Sequence, residues 1–217
     1  MTETTVSRYP QTKVSHEDWL NAALAVLIDE GVERVKIQDL ARTLDVSRSS
    51  FYWYFKSRQD LLDQMLWRWL DTNTAAIVER AARPADSIVQ AVLHVFECWT
   101  DDAVFDPRLD FAVREWARRS EAVRRVLDDA DAARVEAIRR MFARHGYEAT
   151  DAFVRARILY FMQIGYYALD LGEPMETRLS YVEAYVRGFT GVEPTTEEAA
   201  AFRAFASAVV PDDHSGA

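Results

Sequence analysis

Apolar side chains recur along this chain at intervals of three and four, segment after segment, and no stretch sustains the strict alternation of a half-buried strand. Leu20, Ala23, Leu24 and Leu27 mark one face of a helix over about 17–30, ended by Gly31. Ile37, Leu40, Ala41 and Leu44 outline a short amphipathic helix. Asp45-Val46-Ser47 makes a tight turn, and a second short helix follows with Phe51 and Phe55 inward. Two short helices about such a turn predict a helix-turn-helix. From Ser57, with Asp60 as its acidic third residue, Leu61, Leu62, Met65, Leu66 and Trp69 predict a long helix to about Ala82.

Further helices are expected from Pro84 to about Thr100 and from the Asp106-Pro107 cap pair to about Arg119. Others run from Ser120 to Arg144 before Gly146, and from Thr150 to Leu171 before Gly172. The last two span Met175 to Phe189 and Thr195 to about Val210. The fold class is therefore all-α, with an N-terminal three-helix helix-turn-helix domain and a larger helical domain. The expected division is a flexible arm over 1–15, a DNA-binding domain over 16–60, a second domain over 61–210 and a disordered tail over 211–217.

At 49% hydrophobic and 28% charged residues the composition is that of a globular chain able to bury a core. Ile158 to Leu169 is the longest strongly apolar run, interrupted by Gln163 and too short for a span of roughly 20 residues. No secretory signal pattern occupies the first fifteen residues, so a cytoplasmic location is expected. Cys98 is the single cysteine, which excludes an intrachain disulfide. The net charge of −9 argues against a polyanionic partner until its distribution is read. Between Arg34 and Arg58, six cations (those two with Lys36, Arg42, Arg48 and Lys56) meet only Asp39 and Asp45. A local excess of four positive charges on an otherwise acidic chain is the footprint of a confined nucleic-acid site.

The chemistry of the second short helix agrees. A recognition helix presents short polar and planar side chains at its N-terminal end while its other face packs inward. Ser47, Arg48, Ser49, Ser50, Trp53 and Tyr54 are placed for the outward role. Phe51, Tyr52, Trp53 and Tyr54 cannot all be core, because successive helical residues turn by about 100°. An arginine in the major groove favours guanine, and Arg48 is the residue expected to carry specificity.

The run Ile37-Gln38-Asp39-Leu40-Ala41 through Val46-Ser47, Phe51-Tyr52, Phe55 and Arg58-Gln59-Asp60-Leu61 resembles the N-terminal domain of the TetR family of bacterial regulators. The resemblance implies a ligand-responsive, dimeric transcriptional regulator, a repressor on a palindromic operator. It also implies base or phosphate contact by Gln38 and phosphate contacts by Tyr52, Lys56 and Arg58. The helices near 150–171 and 175–189 are similar to the pair that forms the dimer interface in the family. Two positions depart from the family pattern. Arg58 stands for a lysine, and Asp45 stands for a glycine, which calls for a left-handed backbone at an aspartate.

The larger domain is rich in aromatic side chains, from which Phe96, Trp99, Phe105, Trp116, Met141, Tyr160, Gln163 and Tyr167 are the candidate ligand contacts. His94, Arg114 and Glu115 are further polar candidates for orienting a ligand. Other classes are weaker. His94, Cys98 and Asp101 share a helix face but match no common metal set, so no metal or cofactor is expected. The pairs Asp101/Asp102 and Asp128/Asp129 lack a nucleophile or metal beside them, so no enzyme is expected. A helical adaptor or ligand-binding protein without DNA binding is the alternative.

Overall fold

The computed structural model describes residues 14–209, and among them there are helices and no strand. The expected arm over 1–15 falls outside these residues except for Val14 and Ser15, and the tail over 211–217 falls outside them entirely. The chain divides at Leu66–Trp67 into two compact units, inside a helix rather than after residue 60.

The first unit holds α1 (His16–Glu30), α2 (Ile37–Thr43), α3 (Arg48–Phe51) and most of α4 (Arg58–Trp69). Local chemistry sets their ends. Ser15 caps α1 in a reciprocal box with Asp18, and Gly31, at φ 86°, closes it by donating to the Val26 and Leu27 carbonyls. At α4 the Asp60 amide donates to Ser57 Oγ while the Asp60 carboxylate accepts from the amide of Lys56, one residue before the cap. The core of this unit is Trp19, Leu20, Leu27, Leu40, Phe51, Phe55, Leu61 and Met65, all buried.

The second unit holds α5 (Ala75–Ala82), α6 (Ile88–Thr100), α7 (Pro107–Ala117), α8 (Glu121–Arg144), α9 (Ala149–Leu169), α10 (Met175–Thr190) and α11 (Thr196–Val209). Two sequence expectations are corrected here. The helix from Ser57 does not run evenly to Ala82, because Leu70–Thr74 form a π turn. That wider turn lets the adjacent Asn73 and Thr74 both face inward, where Asn73 donates to the Asp106 carbonyl at 2.7 Å and Thr74 receives Arg134. Pro84 does not open the next helix either. Arg83 leaves the helical region, and Ser87 caps α6 by accepting from the Gln90 amide.

α9 ends at Leu169 with Asp170 left-handed, two residues before the expected end at Leu171, while three N-termini agree with the caps in the sequence. Asp106 accepts from the Leu109 amide with Pro107 following, and Ser120 accepts from the Val123 amide. Thr195 and Glu198 form a box at the start of α11. The core gathers Ile77, Val92, Val95, Cys98, Ile138, Met141, Phe142, Leu159 and Val186. No helix among the described residues is long and apolar enough to cross a membrane.

Candidate nucleic-acid interface

The turn between α2 and α3 decides where the second helix points. Asp45 adopts φ 52°, the left-handed conformation its place in the sequence called for. The Val46 amide donates to the Ala41 carbonyl at 3.0 Å and the Asp45 amide to the Arg42 carbonyl at 3.2 Å, a Schellman closure of α2. Glycine adopts this conformation without a Cβ penalty, whereas an aspartate resists it. Asp45→Gly is therefore expected to raise stability by about 0.5–1 kcal/mol in urea denaturation. A loss would show that the Asp45 carboxylate holds the turn.

Rings then lock α3 in place. Phe51 and Phe55 are buried and stack at 5.0 Å, Trp19 meets Phe51 edge-on at 5.3 Å, and His16 stacks on Phe55 at 4.7 Å. With that face fixed, Ser47, Arg48, Ser49, Tyr52, Trp53 and Lys56 are left exposed, Tyr52 at 52% and Trp53 at 71%. Gln38, on α2, is exposed as well. Ser47 and Ser49 share a hydroxyl hydrogen bond of 2.8 Å, leaving short polar groups beside Arg48 at the start of α3.

Three of the residues named from sequence turn inward. Ser50 is buried and donates to the Ser47 carbonyl at 2.7 Å. Tyr54 is half-buried and donates to the Val14 carbonyl at 2.8 Å. Arg58 donates through Nε to the Val35 carbonyl at 2.6 Å and through a terminal nitrogen to the Val32 carbonyl at 2.7 Å. It braces the turn that follows α1 and is not presented as a phosphate grip. Lys36, at the N-cap of α2, is a further exposed cation, not among the candidates named from sequence. Only its place in the basic window signalled it.

In the second unit a cavity of about 60 Å³ lies among α6, α9 and α10, with Phe96, Trp99 and Gln163 in its wall. Met162, Tyr166, Arg178 and Tyr185 also line it, and of these the sequence did not mark Arg178 and Tyr185. Phe105 and Met141 are buried packing residues, Trp116 is buried on α7, and Tyr167 stacks on Phe105 at 6.1 Å; none lines this cavity. Tyr160 and Arg114 belong to a hydrogen-bonded ion network with Asp131. Glu115 pairs at the surface with Arg118. His94 lines a second space of about 470 Å³ between α6 and α11, and burial lowers its pKa.

Burial raises the Cys98 thiol to about 12, so it stays protonated and unreactive. Of the carboxylate pairs, Asp128 is paired with Arg124 and Asp101 accepts from the Ala103 amide.

Residues 20–65 match the family described as bacterial regulatory proteins, tetR family. Over 83 residues the chain is 26% identical to the HTH-type transcriptional regulator AcrR of Shigella flexneri. That stretch is 36% of this chain and 38% of the AcrR length. In fold the chain is similar to Mycobacterium smegmatis AmtR, with a TM-score of 0.60 at 17% identity over 95% of this chain and 100% of that one. Salmonella enterica GusR gives a TM-score of 0.56 at 16% identity over 89% and 94%. The structural likenesses speak for the fold alone, and the sequence match falls on the helix-turn-helix. Over residues 20–65 the N-terminal domain is thus similar to that of the bacterial regulatory proteins of the tetR family.

Proposed function

We propose that this chain is a ligand-responsive transcriptional repressor that binds a palindromic DNA operator as a homodimer in the cytoplasm. The DNA-binding part is the helix-turn-helix domain, about residues 16–60, and the remainder to about residue 210 binds the ligand and dimerises. The observation that carries the reading is the outward row of Arg48 and Ser49 on α3 and of Tyr52, Trp53 and Lys56 just beyond its C-terminal end, with the opposite side fixed by Phe51 and Phe55. Such a helix enters a major groove with its N-terminal residues at base edges, while the hydroxyl of Tyr52 and the ammonium of Lys56 hold phosphates. Two copies related by two-fold symmetry read half-sites about one helical turn apart. The ligand acts by binding one dimer geometry more tightly than the other, so its effect on DNA is a difference in affinity between two states.

Selection from a genomic fragment library at two salt concentrations tests this reading. The expected pool is enriched in a palindrome, with affinity that falls steeply with salt. Arg48→Ala is expected to cost about 1–3 kcal/mol on that operator and to relax the preference at one base pair of each half-site. Lys56→Ala should weaken all sequences alike and reduce the salt slope by about one charge per half-site. A folded dimer that enriches nothing would overturn the DNA-binding reading in favour of an adaptor.

A further inference from the structure

Gln163 projects from α9 into the wall of the small cavity; it is only 6% exposed, and its Nε2 completes no hydrogen bond among the described residues, although the amide lies near enough to the Tyr167 hydroxyl to oppose the rise that burial gives that phenol. A buried donor left unsatisfied costs about 1–3 kcal/mol, and native interiors contain few of them. An arriving acceptor recovers that energy, and water or an apolar molecule of the same shape recovers less or none. The remaining walls are planar. Phe96 and Trp99 come from α6, Tyr166 from α9 and Tyr185 from α10. Ring surfaces of this kind favour a flat partner in offset or edge-to-face contact.

The charges around the cavity balance. Arg178 is its cation, but one of its nitrogens donates to the Trp99 carbonyl at 3.0 Å and its guanidinium lies 5.3 Å from the Tyr166 ring centre. Glu173 lines the same wall and accepts from the Tyr166 hydroxyl at 2.8 Å. Asp102 is close enough for Arg178 to oppose the upward push that burial gives its carboxyl. The C-terminal end of α6, at Thr100, adds partial negative charge. An anion therefore meets no net positive field, and a cation meets Arg178.

We propose that this cavity binds a small, neutral, planar aromatic compound bearing a hydrogen-bond acceptor, an aryl ketone, aldehyde or amide, with the acceptor on Gln163 Nε2. The space of about 60 Å³ is smaller than the roughly 150 Å³ of an engineered apolar cavity that takes benzene. The enclosed space thus takes the acceptor end and the adjoining edge of the ring between these walls, and the remainder extends past Tyr181 and Tyr185, which are the exposed lining residues. The proposal rests on the ligand-responsive reading above. It adds a route for the response, because these two tyrosines also stand on the exposed apolar face of α10 that the proposed dimer uses.

Calorimetric titration of the full-length dimer with acetophenone, ethylbenzene and benzoate tests it. Ethylbenzene has the ketone's shape without its acceptor, and benzoate adds a charge. Acetophenone is expected to bind tighter than either by about tenfold. In Gln163→Leu the preference over ethylbenzene should vanish while ethylbenzene binds as before, with the thermal midpoint confirming the fold. Gln163→Met offers the same test with an unbranched side chain, and the ranking on the unaltered protein needs no variant. Absence of saturable acetophenone binding at millimolar concentration, tighter binding of benzoate, or a preference that survives loss of Gln163 overturns the proposal.

Operator binding is measured on the same samples. The expected ranking with no change in operator affinity would leave the cavity assignment standing and remove the ligand-responsive reading. Operator release by another compound while none of the three binds would do the reverse.

Discussion

Arg134→Met is expected to lower folding stability by about 3–5 kcal/mol, because it leaves a buried ion network without one of its two cations. Arg134 is 0% exposed on α8. One terminal nitrogen donates to Asp110 Oδ1 and to the Tyr160 hydroxyl, each at 2.9 Å, and its Nε and other terminal nitrogen donate to Thr74 Oγ1 at 3.1 and 2.9 Å. Its guanidinium also lies 4.9 Å from the Trp69 ring centre. Asp110 accepts from Trp69 Nε1 at 2.8 Å and from Arg114 Nε at 2.9 Å. Arg114 in turn grips both oxygens of Asp131. Two cations face two anions, so the set is neutral, and removing one member strands its partner in a poorly solvated place.

The double variant Arg134→Met, Asp110→Leu should be less damaged than the sum of the single changes, since it removes both charges. Urea unfolding of the four proteins measures that coupling, and strict additivity would mean the pair does not interact.

The same network fixes a pH dependence. Burial alone would raise the Asp110 carboxyl, but Arg134 and Arg114 together hold it below its ordinary 3.8. A depressed carboxyl contributes stability that is present above its unfolded value and is lost as pH falls through the lower folded one. Acid unfolding of the protein through this group should begin only below about pH 4. In Arg134→Met the burial effect is less opposed, and the transition should move to higher pH. An acid transition at the same pH in both proteins would show that Asp110 does not govern it.

This network was largely invisible in the sequence. Asp131-Ala-Ala-Arg134-Val-Glu136 reads as a solvated helix face, and only the packing of α7, α8 and α9 turns Arg134 inward. The caps at Ser57, Asp106, Ser120 and Thr195 were legible because each is a bond within four residues, independent of tertiary structure, whereas Ser15 was read as part of the arm. The π turn at Leu70–Thr74 and the true start of α6 were not, because partners far along the chain set the first and Pro84 fits a helix start equally well.

The exposure of Tyr52 and Trp53 was legible from four consecutive aromatics that cannot share one face, although α3 ends at Phe51 and both lie just past it. The inward turn of Ser50, Tyr54 and Arg58 was not, since the carbonyls of Val32 and Val35 that hold Arg58 lie more than twenty residues upstream. In the cavity, Gln163 stood out as a polar interruption of an apolar helix, whereas Arg178 and Tyr185 come from a helix that reads as ordinary amphipathic surface.

Replacing Ile158 and Phe161 together by glutamate should convert the protein to a monomer and reduce operator affinity by more than about a hundredfold. On α9, Val154, Ile158, Phe161 and Leu169 lie exposed at helical spacing, Ile158 at 52%. On α10, Tyr181 and Tyr185 are exposed, and Val192 follows just beyond its end. A Cβ built on Gly165 or Gly188, within these helices, would meet nothing within 4 Å, so a neighbouring backbone has room to approach. Monomeric proteins seldom leave contiguous apolar surface of this extent facing water. A two-fold contact between copies of α9 and α10 would cover it.

In such an isologous contact every residue occurs twice, so each glutamate meets its own copy and both charges lose water. Because positions 158 and 161 are about half exposed within the single chain, the substitutions should leave its own core and its thermal midpoint nearly unchanged. Sedimentation would then report a monomer whose single recognition helix reads one half-site, without the effective concentration that linkage to a second supplies. A variant that sediments as a dimer would move the interface away from this face, and a monomer that holds the whole operator as tightly as the parent would remove two-fold symmetry from the mechanism.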